Sequence, residues 1–228
     1  MAGSEHVVEG LHKRALRAAR CASAAVLLAC ALSAAAQQDA GPPASAESSS
    51  PDPAAVLHGR ALVAALRGGG YVLYFRHAAT DFSRGDSRMR SLADCDNQRP
   101  LNDQGRGDAQ AIGQAARTLG LPVAEAYASP MCRTMEHARL MLGAAAPRVE
   151  VRLAQGGDYT GLKRLLAAPV AGGGNRWIVG HGIPFRAVAG PPHLAEGEAA
   201  ILLPRTTGWT VVARLQVSDW PALAAAAH

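Results

Sequence analysis

The stretch Tyr71-Val-Leu-Tyr-Phe-Arg-His-Ala-Ala-Thr-Asp81 contains the pattern from which the fold can be inferred. Its first five residues are apolar and favour a buried strand, but Arg76 and His77 follow at once as two adjacent basic side chains. A buried strand has no packing use for such a pair at its carboxyl end. In an α/β sheet, that end opens into the crevice where ligands bind. We therefore expect Arg76 and His77 to lie in a binding site.

Two further motifs follow apolar runs in the same manner. Ser129-Pro-Met-Cys-Arg133-Thr134 comes directly after one predicted strand, and Ile178-Val-Gly-His181-Gly182 ends another. Because the carboxyl ends of parallel strands meet at one edge of a sheet, the three motifs would bring two histidines and two arginines together. Arginine binds phosphate oxygens through paired hydrogen bonds, and neutral histidine can act as a nucleophile. The arrangement therefore suits a multiply charged anion, most simply a phosphoryl group.

Strands and helices alternate along most of the chain after the first 54 residues. This pattern predicts an α/β fold, a three-layer α/β/α sandwich around a mostly parallel sheet with an antiparallel hairpin at one edge. Asn102 is the expected N-cap of a helix that runs through Leu119. Other helices are expected at 56–66, 133–142 and 159–166, and strands at 71–75, 123–128, 149–151, 177–180, 199–203 and 209–215.

The beginning of the chain carries a different pattern. Four basic residues between positions 13 and 20 precede an apolar run at 21–36, which ends in an Ala-Ala-Ala cleavage-type sequence. This run of about 16 residues is short for a membrane span, which needs roughly 20. We therefore expect 1–36 to be a signal peptide and the protein to be periplasmic or secreted, with an uncleaved anchor as the alternative. Residues 37–54, rich in Ala, Ser and Pro, should form a flexible linker to a catalytic domain at 55–228.

The charge of the chain argues against nucleic-acid binding. The net charge is +5, and the leader carries four basic and two acidic residues, so that about +3 remains on the rest. This mild excess is scattered, and only 4% of the residues are aromatic. The sequence therefore provides no basic and aromatic stripe on which bases could stack.

Removal of the leader leaves two cysteines, Cys95 and Cys132. An exported chain meets an oxidising compartment, where two cysteines without other cysteine partners are candidates for a disulfide. The bond would connect the loop before Gln98 and Arg99 to the motif that contains Arg133, beside the expected site. Two unrelated buried thiols are the alternative.

Four motifs occur in a fixed order along the chain. They are Arg76-His77-Ala78, Arg99-Pro-Leu101-Asn102 through Gly105, Ser129-Pro130 with Arg133-Thr134 and Ala138, and Val179-Gly-His181-Gly182. This ordered set resembles the histidine phosphatase superfamily, the phosphoglycerate-mutase-like enzymes, in its first branch. Ala78 stands where the family signature has Gly. The resemblance extends from about Gly70 to Trp220 and implies the α/β fold expected above.

The resemblance also implies a role for each motif residue. His77 would attack the phosphorus and become phosphohistidine. Arg76, Arg133 and His181 would hold the oxygens, and water would then hydrolyse the intermediate. We also assign Thr80 and Arg99 to substrate binding. The chain would accordingly be a phosphoric monoester hydrolase of the histidine acid phosphatase type. We expect a small phosphorylated substrate, and neither a metal nor a cofactor.

A proton donor for the leaving group is also expected. Many members of the family carry a glutamate downstream of the arginine that corresponds to Arg133. Asp158 is the nearest carboxylate in the corresponding stretch of this chain. Its side chain could equally cap the helix expected from Tyr159. Asp81 and Glu198 are weaker candidates, and a phosphatase acting on good leaving groups could lack a strong acid.

Three functions are compatible with these motifs. An exported phosphatase for small phosphate monoesters fits them best. A catalytically weak phosphate-binding or envelope protein could use the same scaffold, since a fold does not determine activity. A phosphoglycerate-mutase-type phosphotransferase fits less well, because the leader points out of the cytoplasm and the chain is short in loops that would clamp a substrate.

Overall fold

Helices and strands alternate along the chain, as the sequence pattern predicts. The computed structural model describes residues 56–152 and 157–226. The helices of this part are α1 (Gly59–Gly68), α2 (Asp103–Thr118), α3 (Cys132–Leu142), α4 (Thr160–Ala167), α5 (Gly182–Ala189) and α6 (Asp219–Ala226). Its strands are β1 (Val72–Arg76), β2 (Val123–Ala128), β3 (Ala146–Pro147), β4 (Asn175–Gly180), β5 (Ala199–Arg205) and β6 (Gly208–Leu215).

These strands form one sheet in the order β3-β2-β4-β1-β5-β6. The strands β3, β2, β4 and β1 run parallel to one another, whereas β5 is antiparallel to both β1 and β6. The prediction of a mostly parallel sheet with an antiparallel hairpin at one edge is confirmed. Because β1 and β4 are neighbours in the middle of the sheet, their carboxyl ends open at the same place.

The side chains of β1 divide the core into two parts, because they alternate between the two faces of the sheet. Leu73 and Phe75 pack on one face against residues of α1, α2, α3 and α6. Val72 and Tyr74 pack on the other face against residues of α4 and α5. All four side chains are fully buried. The helices thus cover both faces, and the predicted three-layer α/β/α sandwich is confirmed.

The amino end of α2 lies against the segment that follows β1. Asn102, the predicted N-cap, accepts a hydrogen bond from the Gly105 N–H through its side-chain oxygen at 2.8 Å, so this prediction is confirmed. The Asn102 N–H donates to the Ala79 carbonyl at 3.1 Å. A Cβ atom at Gly105 would overlap the same carbonyl oxygen. The close approach of α2 to the segment after His77 therefore requires glycine.

The strand predicted at 149–151 is wrong. Val149–Val151 forms a single 3₁₀ turn, and the short strand β3 pairs with the end of β2 in its place. The Arg148 N–H makes the last bond of this pairing by donating to the Ala128 carbonyl at 2.7 Å, and the chain then enters the turn, in which the Val151 N–H donates to the Arg148 carbonyl at 3.2 Å. Val149 is then exposed, whereas Val151 is buried. The sequence analysis also gives no prediction of α5 and α6.

Two predicted segments, the signal peptide at 1–36 and the linker at 37–54, lie outside the described residues. The described part of the chain falls within the predicted catalytic domain at 55–228 and belongs to one compact unit. Within 56–152 and 157–226, no helix combines the length and the apolar character that a membrane crossing needs.

Two glycines of α2 provide a test of its close approach to Ala79. Gly105→Ala should lower the free energy of unfolding by about 1–3 kcal/mol, because the added methyl group must displace the Ala79 carbonyl. Gly107 is exposed and has open space where a Cβ would be, so Gly107→Ala should raise the free energy of unfolding by about 0.5–1 kcal/mol. Urea denaturation of both variants and the wild type measures these changes. Effects of the same sign would contradict the contact.

Candidate active site

The carboxyl ends of β1 and β4 bring together the two histidines of the sequence motifs. The strands pair with Arg76 opposite Gly180, and the His77 N–H extends the ladder by donating to the Gly180 carbonyl at 3.0 Å. The His77 and His181 rings have centroids 5.5 Å apart and planes inclined at 71°. Each imidazole is thus within reach of a ligand that touches the other.

One ring nitrogen of His77 is held by the backbone. Nδ1 lies 2.9 Å from the Ala78 carbonyl oxygen, which can only accept a hydrogen bond, so Nδ1 carries the proton. The lone pair is therefore on Nε2, for which the described residues provide no hydrogen-bond partner. The side chain is almost fully buried, at 3% exposure, and lines a pocket. This is the tautomer that attack by Nε2 requires.

The backbone on the other side of Ala78 is held by a third histidine. His137 of α3 is fully buried, and its Nδ1 accepts a hydrogen bond from the Ala78 N–H at 3.1 Å. The proton of His137 is therefore on Nε2, which is buried and has no partner within the described part of the chain. The sequence analysis missed His137, although it lies directly before Ala138 of the third motif. His137 thus holds the peptide group between His77 and Ala78, which is the neighbour of the one whose carbonyl binds the His77 ring.

Two buried hydroxyl groups position His181. Its Nε2 lies 2.9 Å from the Ser129 Oγ. The Tyr74 hydroxyl accepts a hydrogen bond from the His181 N–H and donates one to the His181 carbonyl, each at 3.0 Å. Tyr74 belongs to β1 and Ser129 follows β2, so both neighbours of β4 hold the residue at its end. The sequence analysis named Ser129 only as part of a motif and treated Tyr74 as a strand residue.

Arg76 and Arg133 each have one carboxylate partner. The Arg76 Nη2 lies 3.4 Å from the Glu196 Oε1, and the Arg76 Nη1 donates to the Leu194 carbonyl at 2.9 Å. The Arg133 Nη1 lies 3.1 Å from both carboxylate oxygens of Asp86. The Arg133 Nε is buried without a partner among residues 56–152 and 157–226. Both guanidinium groups are held in place and still have N–H groups with which to bind an anion.

The pocket at this edge of the sheet has a volume of about 390 Å³, which is enough for a small organic phosphate. Four arginines line it and outnumber its one carboxylate, Asp86. The N-cap of α3, Met131, and the first residue of α5, Gly182, also lie at the pocket, and the amino end of a helix favours negative charge. The lining therefore suits an anion.

The other predicted site residues lie in three different places. Arg99 lines the pocket together with Arg76 and Arg133. Thr80 is buried, and its hydroxyl donates to Glu196 at 3.0 Å. Asp158 is exposed, and its carboxylate accepts a hydrogen bond from the Thr160 N–H at 2.8 Å. Asp158 thus binds the amino end of α4, near the capping position that was the alternative to a general acid, but the N-cap itself is Tyr159, and the structure does not bring Asp158 to the pocket.

The weaker acid candidates have other partners as well. Asp81 binds the N–H and the hydroxyl of Ser83 on the surface. Glu198 accepts from the Arg214 Nε at 2.6 Å and from the Ala195 N–H at 2.7 Å.

Two carboxylates that the sequence analysis missed do lie at the site. Asp86 lines the pocket, and the Glu196 Oε1 lies 4.0 Å from the His77 Nδ1. Asp86 is part of an irregular loop, in which no periodicity indicates which side chain turns inward. Glu196 belongs to Glu196-Gly197-Glu198, directly before β5, where two acidic residues flank a glycine. This pair of acidic residues before a strand was the one feature of the sequence that could have indicated Glu196.

Burial keeps the three histidines neutral. Removal from water disfavours the charged imidazole, which lowers the pKa of His77 to about 2, of His181 to about 3 and of His137 to about 4. Burial has the opposite effect on Asp86 and raises its pKa, but a backbone N–H and the Arg133 guanidinium outweigh it and hold that pKa below its usual value. At neutral pH the site therefore contains a neutral His77 imidazole and an ionised carboxylate.

Cys95 and Cys132 form a disulfide, with their Cα atoms 5.7 Å apart, so the alternative of two unrelated thiols is wrong. The bond connects the 3₁₀ turn at Cys95–Asn97 to the first residue of α3, next to Arg133. The Gln98 side-chain oxygen supports the same junction by accepting from the Cys132 N–H at 2.9 Å. Closing a loop of this length stabilises a folded chain by about 3–4 kcal/mol in the chain-entropy model. The bond therefore secures the loop that carries Arg99 against the helix that carries Arg133.

Comparison with known proteins identifies a family and several similar structures. Residues 72–165 match the family model of the histidine phosphatase superfamily (branch 1). No curated protein matches the chain. One similar solved structure is the protein histidine phosphatase SixA complexed with tungstate, at 14% identity and a TM-score of 0.48, covering 65% of this chain and 98% of that one. A second is YhfR of Bacillus stearothermophilus, at 16% identity and a TM-score of 0.45, covering 62% and 94%. A third is a phosphoserine phosphatase from Entamoeba histolytica in complex with 3-phosphoglyceric acid, at 11% identity and a TM-score of 0.45, covering 64% and 96%.

We expect acid to destabilise the protein, because its three buried histidines bind protons more readily once they are unfolded. An unfolded histidine titrates near pH 6.5, far above the pKa values of about 2 to 4 in the folded chain. Below about pH 6.5 the unfolded state therefore binds more protons, and the free energy of unfolding should fall as the pH falls. The loss is at most about 1.4 kcal/mol per pH unit for each histidine. Urea denaturation at about pH 7.5 and about pH 5 measures it.

A variant at His137 provides the control for this measurement. His137→Asn keeps an acceptor for the Ala78 N–H but removes one of the three titrating groups. Its loss of stability on acidification should be about a third smaller than that of the wild type. A wild-type free energy of unfolding that is equal at both pH values would contradict the burial of the three neutral imidazoles.

Proposed function

We propose, since residues 72–165 match the family model of branch 1 of the histidine phosphatase superfamily, that this protein is a phosphatase that hydrolyses small phosphate monoesters through a phosphohistidine at His77. The family predicted from the motifs is thereby confirmed, and its membership supports a hydrolase that acts on phosphate esters. One observation supports the phosphohistidine step most directly. The hydrogen bond from the His77 Nδ1 to the Ala78 carbonyl leaves the Nε2 lone pair available in a pocket lined by arginines.

In the first step, the His77 Nε2 lone pair attacks the phosphorus, and the bond between phosphorus and the ester oxygen breaks. The ring keeps its proton on Nδ1 and therefore becomes cationic when Nε2 is phosphorylated. Arg76 and Arg133 bind the equatorial oxygens, because a planar guanidinium pairs with phosphate and stays charged. His181 lies across the pocket from the nucleophile and stabilises the charge that grows on the transferring group.

In the second step, water attacks the phosphorus of the phosphohistidine. The bond between phosphorus and the His77 Nε2 breaks, its electron pair returns to the ring, and the water releases one proton to the solvent. The products are inorganic phosphate and neutral His77 with its proton still on Nδ1. The cycle therefore restores the tautomer that the Ala78 carbonyl selects.

The carboxylates of the site limit which leaving groups suit it. Asp158 binds the Thr160 N–H on the surface, and the pKa of Asp86 is held below its usual value by a backbone N–H and Arg133, against the effect of its burial. An ionised Asp86 has no proton to donate to a departing alkoxide. Esters whose leaving oxygen needs little protonation, such as aryl phosphates, are therefore the substrates that the site favours.

We propose further that the protein acts outside the cytoplasm. The signal-peptide pattern at 1–36 supports this location. The bond between Cys95 and Cys132 supports it as well, because disulfides persist in oxidising compartments and are rare in the cytosol.

Hydrolysis of 4-nitrophenyl phosphate by the purified protein tests the proposed function. His77→Ala should lower kcat/KM by at least about a thousandfold, because the nucleophile is lost. His58→Ala is a matched control, since His58 is an exposed histidine before α1 and should keep the wild-type rate. Unchanged turnover in His77→Ala would contradict the mechanism. A wild type that binds inorganic phosphate but shows no turnover would favour the alternative of a phosphate-binding protein.

A further inference from the structure

Glu196 contacts three residues of the site through a single carboxylate oxygen. Its Oε1 accepts a hydrogen bond from the Thr80 hydroxyl at 3.0 Å and lies 3.4 Å from the Arg76 Nη2. The same oxygen lies 4.0 Å from the His77 Nδ1. The side chain is 19% exposed, so the carboxylate is largely shielded from water. The mechanism derived above gives this group no role.

The backbone fixes Glu196 relative to the nucleophile. The Gly197 N–H donates to the carbonyls of Arg76 and His77 at 3.2 and 3.1 Å, and the Arg76 N–H donates to the Glu198 carbonyl at 3.0 Å. Gly197 has a φ of 79°, a conformation that favours glycine, and a Cβ atom there would press against Val217. The 196–198 segment is therefore bound directly to the strand end that carries the site.

The carboxylate lies near the ring nitrogen that does not react. The His77 Nδ1 carries the proton and donates it to the Ala78 carbonyl, whereas Nε2 carries the lone pair. Glu196 is closest to the Nδ1 and does not line the pocket, so it does not compete with a phosphoryl group for the reacting side of the ring. Its negative charge is thus adjacent to a ring that gains a positive charge in the first step.

We propose that Glu196 is a positioning residue that acts as the counter-ion of phosphorylated His77. Its carboxylate stabilises the positive charge that the ring acquires when Nε2 bonds to phosphorus and the ester oxygen departs. The same charge is lost again when water displaces Nε2, so Glu196 stabilises both transition states relative to the free enzyme, accelerates phosphorylation and takes up no proton. This inference rests on the phosphatase function proposed above.

Two substitutions separate the charge of Glu196 from its shape. Glu196→Gln keeps the length of the side chain and an oxygen that can accept from Thr80 and Arg76, but it removes the negative charge. We expect its kcat to fall by about tenfold to a hundredfold, with KM within about threefold of the wild type. Glu196→Asp keeps the charge on a shorter side chain and should retain more activity than Glu196→Gln.

The matched control removes a nearby charge that does not face His77. Glu198 lies two positions further on, where it binds Arg214 and the Ala195 N–H. Glu198→Gln should therefore keep kcat within about threefold of the wild type once its folding is verified by thermal unfolding. Rapid-quench measurement of the phosphoenzyme, with 4-nitrophenyl phosphate as substrate, should show slower phosphorylation of His77 in Glu196→Gln only.

The outcomes distinguish this inference from the function on which it rests. An active wild type with an unimpaired Glu196→Gln would overturn the counter-ion role and leave the phosphatase function intact. Greater activity in Glu196→Gln than in Glu196→Asp would also overturn it, because shape would then matter more than charge. A wild type without turnover would overturn both proposals together.

Discussion

The parallel pairing of β1 with β4 is the constraint on which the site depends. Its register places Phe75 opposite Val179 and Arg76 opposite Gly180, so that both histidines leave the sheet at the same level. A slip of one residue would turn every side chain of β1 to the opposite face. Buried packing on both faces prevents this, and the stacking of Phe75 on Trp177 at 5.6 Å is one part of it. The core of the protein thus fixes the distance between the two imidazoles.

The backbone from Arg76 to Ala79, which carries His77, is held by three different elements. His137 of α3 binds the Ala78 N–H, and the amino end of α2 packs on Ala79. The segment before β5 binds the carbonyls of Arg76 and His77. Because three elements fix the same short stretch, the His77 lone pair is in place before any ligand binds. Such preorganisation contributes to catalysis because the site needs little rearrangement during the reaction.

The sequence was sufficient to predict those parts of the structure that depend on local patterns. Apolar runs ending in Arg76, His77 or His181 predicted which strands meet, and Asn102 predicted the start of α2. The contributions of Asp86, Glu196 and His137 depend on how a loop, a turn and a helix face pack around His77, and no periodicity encodes that packing. The strand predicted at 149–151 was wrong for a similar reason, since the apolar residues Val149 and Val151 suit a strand, whereas the chain forms a 3₁₀ turn there that buries only Val151. Asp158 had two equally good interpretations in the sequence, an N-cap and a general acid, and only the tertiary structure could show its carboxylate bound to the amino end of α4.

A crystal structure of the protein with bound orthovanadate, which mimics the pentacoordinate phosphorus of the transition state, tests the central claim most directly. We expect the metal oxyanion in the pocket at the end of β1, with the His77 Nε2 as an apical ligand. Its oxygens should contact Arg76, Arg133 and His181, while the His77 Nδ1 still donates to the Ala78 carbonyl. Vanadate bound elsewhere, or bound in the pocket without contact to the His77 Nε2, would contradict the account.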